Sequence, residues 1–237
     1  GYPETLYFGK RLSDYTDLLS TRGKGGALSY YDMATGKERT FADNYRADAP
    51  LEISPHGRSD KRGAPVIVRD ASGSFVTDFR YCRHKIVRGA PEPEGLPHAH
   101  GACETADIVL EDKRLRVRAH LYLTIFADKD VLVKSFRFEN IGRKKVRLTR
   151  AMSMQLDLPH MDYDLVHFHG RWAKERDYAE NPVPDGVQEV SSDLGRSSAE
   201  ENPFVYLKER GATTDHGEVI GFNLIYSGNF KFRTFTG

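Results

Sequence analysis

A chain of 237 residues with 13 Phe, 12 Tyr and 39% apolar residues can bury a sizeable core and is too rich in core-forming side chains to be disordered. Lys and Arg total 35 against 34 Asp and Glu, so a net charge of +1 leaves no general field to draw in nucleic acid or an anionic membrane, and neither partner is expected. No apolar run approaches the ~20 residues that span a bilayer. Two cysteines, Cys82 and Cys103, exclude a disulfide scaffold, leaving either one bridge or two free thiols.

The chain starts at Gly1 without a Met and stops at Gly237 directly after a strand-like run, so the expectation is a piece cut at both ends from a longer protein. In chain order, Ala27–Asp32 reads as a first strand. Ala47–Pro65 is irregular, with Pro50, Pro55, Gly57, Gly63 and Pro65. Ala64–Arg69 and Phe75–Lys85 read as strands. Arg88–Cys103 is a second irregular stretch, carrying Gly89, Pro91, Pro93, Gly95, Pro97 and Gly101. Leu115, Val117, Ala119, Leu121 and Leu123 alternate with Arg116, Arg118, His120 and Tyr122, the period of a half-buried strand. A turn at Ala127-Asp128-Lys129-Asp130 leads to a strand over Val131–Glu139. A turn at Asn140-Ile141-Gly142-Arg143 follows, with Gly142 free to take positive φ. Val146, Leu148, Met152, Met154, Leu156 and Leu158 then share one parity, predicting a third, long strand and a three-stranded meander. Leu165–Trp172, Phe204–Arg210, Glu218–Tyr226 and Phe230–Phe235 complete the strands, and Trp172–Glu180 has the composition of one or two helical turns. The fold class expected is all-β, a large antiparallel β-sandwich over 1–237 with little or no helix.

Several constellations invite chemical readings. His98, His100 and Cys103 are ligand types close together, but a second pair at a zinc spacing is missing. His167 and His169 point the same way from a strand, with His160 upstream, so a metal-dependent β-sandwich enzyme using His167 and His169 is one alternative. Asp162 and Asp164 are an acidic pair of the kind a glycosidase needs, but nothing in their context raises one pKa and not the other. No Gly-x-Ser-x-Gly elbow or phosphate-binding glycine loop is present. The basic run Arg143, Lys144, Lys145, Arg147 and Arg150 lacks interleaved aromatics and reads as a solvated strand face. The loop Glu52–Arg62 places charges on a Pro/Gly frame, which is what a sugar needs: a carboxylate to accept hydroxyl protons and a guanidinium to donate to hydroxyl oxygens. A free-standing carbohydrate-binding module is therefore a second alternative.

Blocks in order along the chain carry a more specific signal. They are Leu6-Tyr7-Phe8-Gly9-Lys10, Gly57-x-Ser59-Asp60-x-Arg62, Glu104-Thr105, Gly170-x-Trp172-Ala173-x-Glu175-Arg176 and Ser191-Ser192. Then come Gly195-x-Ser197-Ser198, Asn202-Pro203-Phe204, Asp215-His216-Gly217-Glu218 and the run from Gly221 through Tyr226-Ser227-Gly228-Asn229-Phe230. With these blocks the chain resembles the N-terminal β-supersandwich domain of glycoside hydrolase family 36 α-galactosidases. The resemblance implies a cytoplasmic, cofactor-free retaining hydrolase of terminal α-galactosides such as melibiose, raffinose and stachyose. Both catalytic carboxylates would lie on a downstream (β/α)₈ barrel, so no catalytic residue is assigned here. It also implies a homotetramer in which this domain reaches into a neighbour's active site. Asp60 and Arg62, with Asp48 upstream, are then the residues expected at the galactose hydroxyls, and Trp172 is an interface anchor, a sugar-stacking face or a core aromatic. The loop departs from the family pattern at its start, Glu52-Ile53-Ser54-Pro55, where many members carry an aromatic, and at Lys61, where an apolar or aromatic residue is common.

Overall fold

The computed structural model describes residues 1–16, 18, 29–32, 37–40, 49–58, 60, 62–158, 162–197 and 200–236. Every bounded element among them is a strand, and every strand pairing is antiparallel. The fold class is therefore the all-β one that the period-two pattern predicts. The chain divides into two compact units, Gly1–Pro91 with His100–Asp157, and Glu92–Ala99 with Leu158–Gly237.

The first unit holds β1 (Ser29–Asp32), β2 (Lys37–Thr40), β3 (Val66–Arg69), β4 (Arg80–Arg88), β5 (Glu104–Asp112), β6 (Val117–Phe126), β7 (Val131–Asn140) and β8 (Arg147–Ala151). β1 pairs with β2, β3 pairs with β8, and the remaining four form a sheet in the order β4-β5-β6-β7. Two layers result because Val66 and Val68 of β3 share one core with Leu110 of β5, Val117 and Ala119 of β6, and Phe136 and Phe138 of β7. Burying each large member of that core contributes about 1.5–3 kcal/mol.

The second unit holds β9 (Tyr163–Arg171), β10 (Lys174–Pro182), β11 (Gly186–Ser192), β12 (Glu201–Glu209), β13 (Val219–Asn223) and β14 (Phe230–Thr236). Its sheet runs β10-β9-β12-β13, and β11 pairs with β14. Leu165, Val205 and Leu207 of the sheet pack with Val190 and Phe230 of the pair, so this unit too is two layers on one core.

Several sequence expectations need correction. The long third strand over Val146–Leu158 is only β8, and it pairs with β3 rather than with β7. The chain leaves the sheet at Met152, whose N–H donates to the Pro65 carbonyl at 2.9 Å. The strand expected at Phe75–Lys85 begins at Arg80, because His56 and Thr77 hold the preceding segment against the 52–62 loop. Trp172–Glu180 is not helical: Trp172-Ala173 is a two-residue turn and β10 follows. Gly142 does not use its freedom to take positive φ, while Arg116, in the separate turn between β5 and β6, does (φ 55°). Gly142 is required by close approach, since a Cβ there would sit 2.8 Å from the Arg116 Cβ. β2, β5 and β11 were not legible in the sequence. Cys82 and Cys103 are free thiols.

Candidate functional site

The 52–62 loop is not a free surface loop. Its first half is buried, and Glu52 and Lys134 of β7 form an ion pair at 2.9 Å with side chains only 5% and 4% exposed. Lys134 Nζ donates to both Glu52 oxygens at 2.9 Å and to the Gln155 carbonyl at 3.4 Å, while the Thr5 hydroxyl also donates to Glu52. At the apex, the His56 N–H donates to Thr77 Oγ1 at 2.9 Å and the Thr77 N–H returns to the His56 carbonyl at 3.1 Å. Gly57 then takes φ 74°, where a side chain would also press on Val76 Cγ2 at 3.1 Å. Arg58 lies 3.5 Å from Asp78.

Three charged groups close the loop. The Asp60 carboxylate accepts from the Arg62 N–H at 2.9 Å, from Nε at 3.0 Å and from Nη2 at 2.7 Å, a bidentate fork reinforced by the backbone. Arg62 Nη1 donates to Asp157, in the segment that follows β8. Two residues earlier, Gln155 Nε2 donates to the Ser54 hydroxyl at 2.7 Å and the Ser54 N–H donates to Gln155 Oε1 at 3.2 Å. The side chains of Asp60, Arg62 and Asp157 are 0%, 15% and 34% exposed.

The electrostatics differ at each group. Burial pushes the Asp60 carboxyl up, but the Arg62 side chain and N–H, with the Ser54 hydroxyl, outweigh it and hold the group below the ordinary carboxylate range. For Arg62, burial is outweighed by Asp60 and Asp157, and the guanidinium binds its proton more tightly than usual. Asp157 goes the other way: burial raises it, the charge and hydrogen bond of Arg62 offset only part, and the Asp60 charge adds to the rise. Asp157, Gln155 and Glu52–Lys134 were not singled out in the sequence; reading a strand through Leu158 hid the segment that carries the first two.

The other candidates are placed as follows. Asp48 and His160 lie outside the described residues. Trp172 is 92% exposed at the tip of the β9–β10 hairpin, which rules out a core role. The tip is tightly built. Ala173 (φ 59°) and Arg176 (φ 60°) are both left-handed, and a Cβ on Gly170 would fall 2.3 Å from the Lys174 carbonyl oxygen. His167 and His169 do face the same way, with ring centroids 5.6 Å apart, and His167 Nδ1 lies 3.4 Å from Glu201 Oε2. Among the described residues no group of three or more His, Cys, Asp or Glu side chains is arranged to hold a metal ion. Arg210 binds the acidic pair, at 3.4 Å to Asp164 and 3.6 Å to Asp162, so these carboxylates are salt-bridged rather than set across a cleft. Within the second unit, Arg176, Ser197, Asn202 and Tyr226, each from a different sequence block, line one open hollow of about 620 Å³.

Known proteins supply the context for this geometry. The family model described as the glycosyl hydrolase family 36 N-terminal domain matches residues 1–234. The alpha-galactosidase AgaA of Geobacillus stearothermophilus is 36% identical over 235 residues, covering 97% of this chain and 31% of that protein. The alpha-galactosidase Mel36A of Lactobacillus acidophilus is 33% identical over 236 residues, covering 96% of this chain and 31% of that protein. A crystal structure of a Geobacillus stearothermophilus AgaA variant in complex with raffinose superimposes with a TM-score of 0.89 at 34% identity, over 98% of this chain and 32% of that one. The chain thus spans about a third of the length of the relatives it matches.

Proposed function

The chain belongs to the glycosyl hydrolase family 36 N-terminal domain family, and we propose that it is the non-catalytic N-terminal part of a retaining α-galactosidase acting on terminal α-galactosides such as melibiose, raffinose and stachyose. The observation that carries this reading is coverage: almost the whole chain matches the N-terminal domain, and only 31% of AgaA and of Mel36A is accounted for. The remaining two thirds is where a nucleophilic carboxylate and an acid/base carboxylate, about 5–5.5 Å apart in a retaining enzyme, would stand. We place both on a downstream (β/α)₈ barrel and assign no catalytic residue to this chain.

This domain would contribute the 52–62 loop. Arg62 and Asp48 are the residues proposed to serve the galactose hydroxyls, with Asp60 holding Arg62 in place through the fork. A polar group pinned on such a loop discriminates the axial hydroxyl of galactose, because the wrong epimer leaves it unpaired at about 1–3 kcal/mol, roughly 5- to 150-fold in affinity. Trp172, fully presented on its hairpin, is proposed as the anchor of an interface in a homotetramer, or as a stacking face for sugar. Two free thiols support a cytoplasmic location.

The test is turnover. The full-length protein is expected to release galactose from raffinose with the α-anomer formed first, as followed by NMR. Release of the β-anomer first would refute retention, and an inert full-length protein would refute the assignment to α-galactosidase. Light scattering on the same sample is expected to give four times the protomer mass.

A further inference from the structure

We propose that Asp157 is the carboxylate that meets a hydroxyl of the bound galactoside, and that Asp60 is a positioning residue acting through Arg62. The assignment rests on reading the chain as part of an α-galactosidase. It begins with what each carboxylate oxygen is already doing. Asp60 Oδ1 accepts from the Arg62 N–H at 2.9 Å and from Nε at 3.0 Å, and Oδ2 accepts from Nη2 at 2.7 Å. The Ser54 hydroxyl donates to the same carboxylate. With its side chain 0% exposed, Asp60 can accept from a sugar only after Arg62 has been displaced.

Asp157 differs on each count. Among the described residues its partners are Arg62, at Oδ2, and the Gln155 side chain. A carboxylate offers about four lone-pair sites, so acceptor capacity remains, and the 34% of the side chain that is exposed is where a ligand can reach it. The site is also held in advance. Asp60 grips one edge of the Arg62 guanidinium, Arg62 holds Asp157, and Gln155 ties the Asp157 segment to Ser54 at 2.7 Å and 3.2 Å.

The experiment is kinetics on the full-length protein with p-nitrophenyl α-galactoside and its monodeoxy analogues. Asp157→Asn is expected to raise KM about 10- to 150-fold, the worth of one hydrogen bond to a charged group, with a smaller effect on kcat. One monodeoxy analogue should lose that factor with the wild type and lose nothing further with Asp157→Asn, since the hydroxyl and its acceptor are then removed once only. Asp157→Glu should restore part of the affinity. Asp60→Asn is expected to lower the thermal midpoint and to weaken every analogue by one common factor. An unchanged KM for Asp157→Asn, or a uniform loss across all analogues, overturns the assignment. Should Asp157→Asn fail to fold, the same series on Asp157→Glu decides it: a penalty confined to one analogue supports contact, and a uniform penalty refutes it. A wild-type protein inert toward every α-galactoside would instead overturn the underlying reading, and the assignment with it.

Discussion

Removing the Lys134 ammonium should unfasten the loop from beneath. In Lys134→Met the buried Glu52 carboxylate, 5% exposed, loses a cation that donates to both its oxygens at 2.9 Å. The Gln155 carbonyl loses a donor at 3.4 Å. The stem of methionine replaces the buried alkyl chain closely, so the loss is electrostatic rather than a cavity. Breaking a buried ion pair from one side costs about 3–5 kcal/mol. At about 2–4 °C per kcal/mol for a unit of this size, the thermal midpoint should fall by about 6–20 °C. Adding Glu52→Gln should return part of that loss, because a neutral amide leaves no stranded charge. Differential scanning calorimetry of the four members of this cycle in the full-length protein is the assay. A midpoint unchanged in Lys134→Met, or a double variant as unstable as the sum of the singles, would refute the view that the pair pins the loop.

Other outcomes follow from the same geometry. Asp60 has its folded pKa depressed, so its stabilising contribution is present above the unfolded value and is lost as pH falls through the folded one. Asp157 has its folded pKa raised, the opposite sign. At pH about 7, urea unfolding should therefore find Asp60→Asn clearly destabilised and Asp157→Asn nearly neutral. Glu189, bracketed by Lys231 at 2.7 Å and Arg233 on β14, is lowered to about 2 from an ordinary 4.5. Stability it confers on the second unit should be lost as pH falls between those two values, and Glu189→Gln should flatten that part of the pH profile in calorimetry. Trp172→Ala should leave stability within about 0.5 kcal/mol, because the indole packs on little of its own unit. It should still weaken the oligomer in sedimentation, and an unchanged oligomer would remove Trp172 as an anchor.

What could be read in advance depended on how cleanly each face of a strand separates apolar from polar. β6 was legible because Val117, Ala119 and Leu121 enter the core while their neighbours do not. β5 was not, because its other face buries polar groups in partnership: Thr105 with Thr124 at 2.8 Å, and Asp107 with His120 at 2.8 Å. Those pairs exist only once the strands are in register, so no local pattern announces them. The run Ala173 to Glu180 is rich in helix formers, yet pairing with β9 overrides propensity, with a bulge at Lys174/Asp177 absorbing the mismatch. At the candidate site, Asp60 and Arg62 were legible as a motif. Their mutual fork and the arrival of Asp157 were not, since Asp157 is 95 residues from Arg62 and joins it only because the chain leaves the sheet after Ala151.

The most direct measurement compares hydrolysis of p-nitrophenyl α-galactoside and raffinose by the full-length protein with that by residues 1–237 alone. Turnover by the full-length protein, none by residues 1–237, and a raised KM in full-length Arg62→Ala are the expected results. Galactose release by residues 1–237 alone, or an Arg62→Ala enzyme with wild-type KM, would contradict the division of labour between this domain and the rest of the protein.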